Sequence, residues 1–266
     1  MYGSLRPIGI VCGLMVVGAV STAALATPTI DSAVLNLRLW NDCPTSALTT
    51  SNLYPGSIWI QDANLNTEGY ANRHNFRLSG DGGISAANFM NGDAFGFFSD
   101  VTMTGTGDGE GGLNVSPWWS QNFDGEFMLK TTGEIAVFGG RLPFYSFTAN
   151  QGVTYTKGET VRTGFIYAPR GLSQADPATI EYVLIANGVR YTSGAIRFDQ
   201  GNPAEGYGSW GMLNSAQLGG TFQPYIQPAS PDRALRIEFS NIGFVPEPAA
   251  LALLGLVSAF ALRRAR

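Results

Sequence analysis

The chain is poor in the residues on which most catalytic sites and covalently stapled folds depend. Its 266 residues include one histidine, His74, and two cysteines, Cys12 and Cys43. A single histidine leaves little room for a serine or cysteine triad, and no Gly-x-Ser-x-Gly turn offers a nucleophile. One histidine and one cysteine cannot fill the usual zinc ligand set, even with carboxylates added. Charge is scarce as well: charged residues are 14% of the chain, against roughly 25% in soluble domains. Sustained helical periodicity is missing between the two ends. Pro177, Pro203, Pro224, Pro228 and Pro231 interrupt the stretches that come nearest to it.

What the chain does have is apolar sequence at both ends and glycine throughout. Arg6, the apolar stretch Ile8 to Val20 and then Ala24-Leu25-Ala26 follow the charged, apolar and small-residue order of a secretory signal, which places cleavage after Ala26. Residues 1–26 are expected to form a signal helix that is removed, and Cys12 goes with it. Cys43 then stands alone, so no disulfide can form within the chain and burial must hold the exported fold together.

At the other end Val245-Pro246-Glu247-Pro248 precedes an apolar run from Ala249 to Leu262, in which Ser258 is the only polar side chain. The prolines enforce an extended segment that a processing enzyme can read. As a helix the run spans about 21 Å, at about 1.5 Å per residue, against a hydrocarbon core of about 30 Å. Arg263, Arg264 and Arg266 compensate for the short span by snorkelling and fix the C-terminus on the cytoplasmic side. This tail resembles a PEP-CTERM sorting domain, with Pro246, Glu247 and Pro248 as its motif, 249–262 as its membrane helix and 263–266 as its basic cluster. The resemblance implies an exosortase-like processing enzyme as partner. It also implies export, anchoring in the membrane through the tail, and final residence at the cell surface or in extracellular matrix.

The body between the two addresses, residues 27–244, is long enough for one domain with a real core. Of the 16 basic residues, four lie in the two ends; of the 20 acidic residues, only Glu247 does. Twelve basic against nineteen acidic residues make the body −7, which argues against nucleic acid and against charge-driven attraction to anionic lipid. Period-two alternation recurs between turn signals. Thr179 to Ala186, then Asn187-Gly188, then Val189-Arg190-Tyr191 form the clearest hairpin, because Asn-Gly supplies the two positive-φ positions of a type I′ turn. Phe127 and Leu129, Thr132-Gly133, and Ile135 and Val137 form a second. Further strands are expected at 94–102, 161–167, 195–198 and 234–239. Eight or more strands with glycine-rich connections predict an all-β fold, a two-sheet antiparallel jelly-roll sandwich.

The order of several phrases carries a resemblance. Phe97-Phe98-Ser99-Asp100-Val101-Thr102, Gly109 to Val115, Gly125-Glu126-Phe127-Met128-Leu129, Gly133 to Gly140, Tyr155 to Val161 and Ile180-Glu181-Tyr182 look like the strand succession of concanavalin A-like sandwiches, of legume lectin and laminin G type, over roughly residues 35–244. The segment Tyr70 to Arg77 is similar to one in exported bacterial PEP-CTERM proteins.

Candidate chemistry is sparse. His74, between Arg73, Asn75 and Arg77, reads as a hydrogen-bonded structural residue. Related sandwiches include polysaccharide hydrolases and lyases, and those of laminarinase type carry Glu-x-Asp-x-x-Glu on one strand, a string that does not occur here. The pairs Asp124/Glu126 and Asp108/Glu110 are flanked by glycine and read as turn residues. Asp62, Asn64 and Asn66 resemble the start of a calcium loop, but Thr67 stands where the turn glycine belongs and Arg73 where the bidentate carboxylate belongs. No cofactor is required, and calcium is the one metal with a candidate site. Trp118 and Trp119 offer an indole for stacking on a sugar, with Tyr207, Trp210 and Tyr225 as further loop aromatics. The expected function is that of a non-enzymatic surface or matrix protein whose body packs or binds within exopolysaccharide. A polysaccharide-active hydrolase or lyase of the same fold is the rival, and a calcium-dependent adhesion module the third reading.

Overall fold

The computed structural model describes residues 27–116, 125–139, 142–198, 210–212, 214–228 and 232–246. The expected signal and membrane helices lie outside them, as do Ala24, Ala26, Trp118, Trp119, Glu247, Pro248, Arg263, Arg264 and Arg266. Within them the expectation of an all-β sandwich holds.

Two seven-stranded antiparallel sheets face each other. The first is ordered β1 (Ser32–Asn41), β4 (Asn72–Ser79), β13 (Gln217–Pro224), β6 (Gly109–Ser116), β7 (Glu126–Lys130), β8 (Ile135–Phe138) and β9 (Tyr145–Ser146). The second is ordered β12 (Val189–Arg197), β11 (Thr179–Ala186), β10 (Thr160–Ala168), β5 (Phe95–Gly105), β14 (Ala234–Pro246), β3 (Ser57–Ala63) and β2 (Ala47–Leu53). The 179–191 hairpin forms as expected, with Asn187 at φ 52° and Gly188 at φ 75°. A five-residue helix, α1 (Phe147–Gln151), is the one helical element among the described residues, and Ser146 caps it by accepting from the Ala149 amide.

Alternation sorts the side chains. On β4, His74, Phe76 and Leu78 point between the sheets, while Arg73, Asn75 and Arg77 point outward. The interior is aromatic: Phe76 meets Phe239 edge to face at 5.0 Å between centroids, and Phe127 stacks on Phe147 at 5.4 Å. Gly220 lets the two sheets close over the first pair, since a Cβ there would lie 2.4 Å from the Phe76 ring and 2.6 Å from that of Phe239.

His74 is buried among these strands. Its Nδ1 accepts the Arg38 amide at 3.0 Å, so the neutral ring carries its proton on Nε2, 3.2 Å from Asp62 Oδ2. The Arg38 amide is available because the residue sits at φ 56° in an irregularity of β1.

Strand β14 runs further than the sequence indicates. It was expected to end near Phe239 and the body at residue 244, yet Val245 pairs with Gly96 and Pro246 with Phe95. Pro246 is tolerated because it is the last residue of its strand, where a missing N–H costs one terminal bond. The first proline of the tail motif is therefore part of the sheet.

Candidate functional site

The outward face of the first sheet is polar and buried, the reverse of an ordinary solvent face. Arg73, Asn75 and Arg77 on β4, Thr221 and Gln223 on β13, Glu110 and Asn114 on β6, and Glu126 on β7 are each at most 8% exposed. Buried polar side chains are the informative exceptions to the inside-out rule. Here they follow from strict alternation along four adjacent strands.

Register brings them together. Gln223 lies opposite Glu110, and Glu110 opposite Lys130. Arg73 Nη1 donates to Gln223 Oε1 at 3.2 Å, and Gln223 Nε2 donates to Glu110 Oε1 at 3.1 Å. The other end of the Arg73 guanidinium forms an ion pair with Glu126, and its plane lies 5.2 Å from the Trp40 ring. Asn36 Nδ2 donates to Asn75 Oδ1 at 2.9 Å and extends the network to the edge strand.

Electrostatics single out Glu110 and Tyr225. Burial pushes the Glu110 carboxyl above its ordinary value, against the pull of a hydrogen bond with Tyr225 and of the nearby Lys130 and Arg73 charges. Burial likewise raises the Tyr225 phenol, and the Glu110 charge raises it further. Tyr225 also packs against Tyr70 at a tilt, centroids 5.5 Å apart, and Tyr70 is 61% exposed. The cluster therefore opens to solvent at its Tyr70 rim. Lys130 stands at the same rim, its own ammonium held charged by a 2.5 Å contact with Glu134. At the opposite end of this face lies a cavity of about 320 Å³ lined by Val34, Asn36, Ile84, Ser85, Asn88 and Gln217 among others. None of its lining residues titrates.

The residues singled out from sequence fall elsewhere. Asp62 is wholly buried, with Oδ2 accepting from Asn72 at 2.7 Å, while Asn64 and Asn66 are exposed on the turn beyond it. Burial works to raise the Asp62 carboxyl, and hydrogen bonds from His74, Asn72 and Ser46 outweigh it and hold the group below its ordinary value. The three do not converge on one point, and no group of three or more His, Cys, Asp or Glu side chains suited to a metal ion occurs among the described residues. Glu110 and Glu126, read as turn residues, lie within strands. Asp108 is a loop residue, bonded to Gln227 at 2.8 Å and to Lys157 and Arg233 at 3.3 Å each. Trp210 contributes its carbonyl to Ala178. Arg73, Gln223, Lys130 and Tyr70 were missed. The signal for the first was present in the Arg-x-Asn-x-Arg alternation of residues 73–77, which puts three polar side chains on one strand face.

No protein-family profile matches the chain, and no curated relative matches it. Solved structures do. An alginate lyase from Corynebacterium sp. is 12% identical, with 81% of this chain and 94% of that one covered and a TM-score of 0.49. An alginate lyase from Klebsiella pneumoniae is 10% identical over 77% of this chain and 85% of that one, at 0.44. Lectin I from Ulex europaeus, solved with a methyl glycoside of α-L-fucose, is 10% identical over 82% and 94%, also at 0.44. What is shared at this level is the fold. The expectation of a non-enzymatic body is corrected by these matches: the sandwich is one that alginate lyases use.

Proposed function

We propose that the chain is an exported polysaccharide lyase that acts on a carboxylated polysaccharide at the outward face of its first sheet, and that its tail sorts it through the membrane to the cell surface or matrix. The observation that carries the reading is the buried Glu110 carboxyl, which accepts from Gln223, lies near Tyr225, and is one link from Arg73 and open beside Tyr70.

Elimination from a uronate needs three things: positive charge or donors at the sugar carboxylate, a base for the C5 proton and an acid for the departing oxygen. Lys130 and the Gln223 amide supply the first, with Arg73, itself paired with Glu126, holding Gln223 from behind. Glu110 is the base. Its raised pKa brings a carboxylate closer to the strength proton abstraction demands. Tyr225, kept protonated by burial and by the Glu110 charge, is the acid. The C5–H pair becomes the C4=C5 bond, the C4–O bond breaks, and the Tyr225 proton goes to the leaving oxygen. Tyr70 and Trp40 offer aromatic faces for the neighbouring sugars.

Hydrolysis is the poorer fit. It requires a second carboxyl at about 5–5.5 Å or 6.5–9.5 Å. Glu126, the other acid of this face, lies opposite Asn114, four residues along β6 from Glu110. Its charge is also committed to Arg73.

Incubation of the purified chain with alginate, polygalacturonate and a neutral glucan tests the reading. It predicts new chain ends carrying an unsaturated uronate from at least one acidic polymer and none from the glucan. Saturated products would transfer the site to hydrolysis, and no scission of any uronate polymer would refute it.

A further inference from the structure

The end of the sandwich from which the tail departs carries two of the three most exposed large apolar side chains among the described residues. Pairing fixes which end this is. Pro246 lies opposite Phe95, Phe95 opposite Tyr167, and the next rung joins Ala168 to Thr179 and Thr179 to Arg197. In the first sheet the corresponding end is that of Ser79 and Gln217, because the segment joining β4 to β5 bonds there: Phe89 pairs with Ala216, and its ring lies 5.3 Å from that of Phe244.

Three large apolar residues stand out by exposure among the described residues: Ile84 at 84%, Leu53 at 70% and Phe144 at 69%. Ile84 is in the β4–β5 segment at this end. Phe144 precedes Tyr145, whose partner Val137 adjoins the Phe138–Glu126 rung near the same end. Leu53 lies away from this end: it pairs with Ser57, Ser57 with Ser240 and Ser240 with Asp100, five residues along β5 from Phe95. Arg170 and Arg197 line a cavity of about 300 Å³ at this end with Asp176. Ile84 and Phe144 thus share with Arg170 and Arg197 the end from which the apolar tail leaves.

The chain outside the structure says what covers them. Two residues, Glu247 and Pro248, separate Pro246 from the apolar run that begins at Ala249. Three extended steps of about 3.3–3.6 Å reach only about 10 Å. We infer that, while the tail is in place, this end of the sandwich lies against the lipid bilayer, with Ile84 and Phe144 in the interface and Arg170 and Arg197 at headgroup level. Apolar contact drives the docking. Asp31, Asp81 and Asp176 at this end offset the arginines, in keeping with a body of negative net charge. The Tyr70 rim and Glu110 are at the other end, turned away from the membrane and towards soluble polymer. The inference rests on the reading of residues 249–262 as a membrane segment.

The test uses the full chain with Cys12→Ser, leaving the buried Cys43 thiol in place. Ile84→Cys, Phe144→Cys and, at the opposite hairpin turn, Val189→Cys variants are labelled with an environment-sensitive fluorophore and reconstituted into phosphatidylcholine vesicles that contain nitroxide lipid. Labels at 84 and 144 should be quenched at least about threefold more than the label at 189 while all three proteins float with the vesicles. Flotation with uniform or reversed quenching would overturn the docked end alone. Failure to float would overturn the membrane segment and this inference together. Quenching at 84 that persists without nitroxide lipid would assign the patch to a second copy of the chain instead.

Discussion

At the scale of single residues, Glu110 is where stability and function oppose each other. Its carboxyl is raised in the fold from an ordinary 4.5, chiefly by burial. A raised group contributes stability fully below its unfolded pKa and loses it as pH rises through the folded value. Glu110→Gln should therefore raise the melting temperature at pH 7, with the gain vanishing below about pH 4.5; a melting series against pH reads this directly. Asp62 has the opposite sign. Its carboxyl is held low by His74, Asn72 and Ser46, so its contribution is present above its ordinary 3.8 and lost as pH falls through the folded value. Arg73→Ala leaves the Glu126 carboxylate buried without its cation and should cost about 3–5 kcal/mol in urea unfolding. Little of this was legible in the sequence. The structural placement of His74 could be read from its polar neighbours, but Glu110, flanked by glycines, looked like a turn. Only the structure shows that those glycines face the interior, where a Cβ would meet Leu235 or Ile237 of the opposite sheet, and that Glu110 between them points to the outward face.

At the scale of elements, the two hairpins were legible because Asn187-Gly188 and Thr132-Gly133 dictate local backbone geometry whatever surrounds them. The extent of β14 was not. Proline reads as a breaker, and only pairing with Phe95 and Gly96 shows that Val245 and Pro246 continue a strand flanked on both sides. Ending the chain after Pro246 should leave the melting temperature unchanged within about 1 °C, since no described strand is shortened. Ending it after Phe244 removes two rungs beside β5 and should lower the midpoint by several degrees, at about 4–8 °C per kcal/mol for a small domain and less for a larger one. Equal melting of the two truncated chains would show that the last rungs carry no stability.

At the scale of the whole molecule, composition and alternation were sufficient for an all-β sandwich, because burying one face of each strand against a second sheet leaves few other solutions. They were insufficient for the site. Its residues come from four strands separated by as many as 150 positions, as in the Arg73–Gln223 bond, and topology alone assembles them. In the proposed arrangement one end faces the lipid and the opposite rim faces polymer, with the buried polar sheet between them. The truncation after Pro246 should also abolish surface retention in cell fractionation without impairing the body. The most direct measurement is the turnover of Glu110→Gln on an acidic polysaccharide that the unaltered chain cleaves. Loss of a general base predicts a fall in kcat of about 10²–10⁴-fold, in a protein that melts no lower than the original. Undiminished turnover would contradict the account and remove the outward face of the first sheet as the site of chemistry.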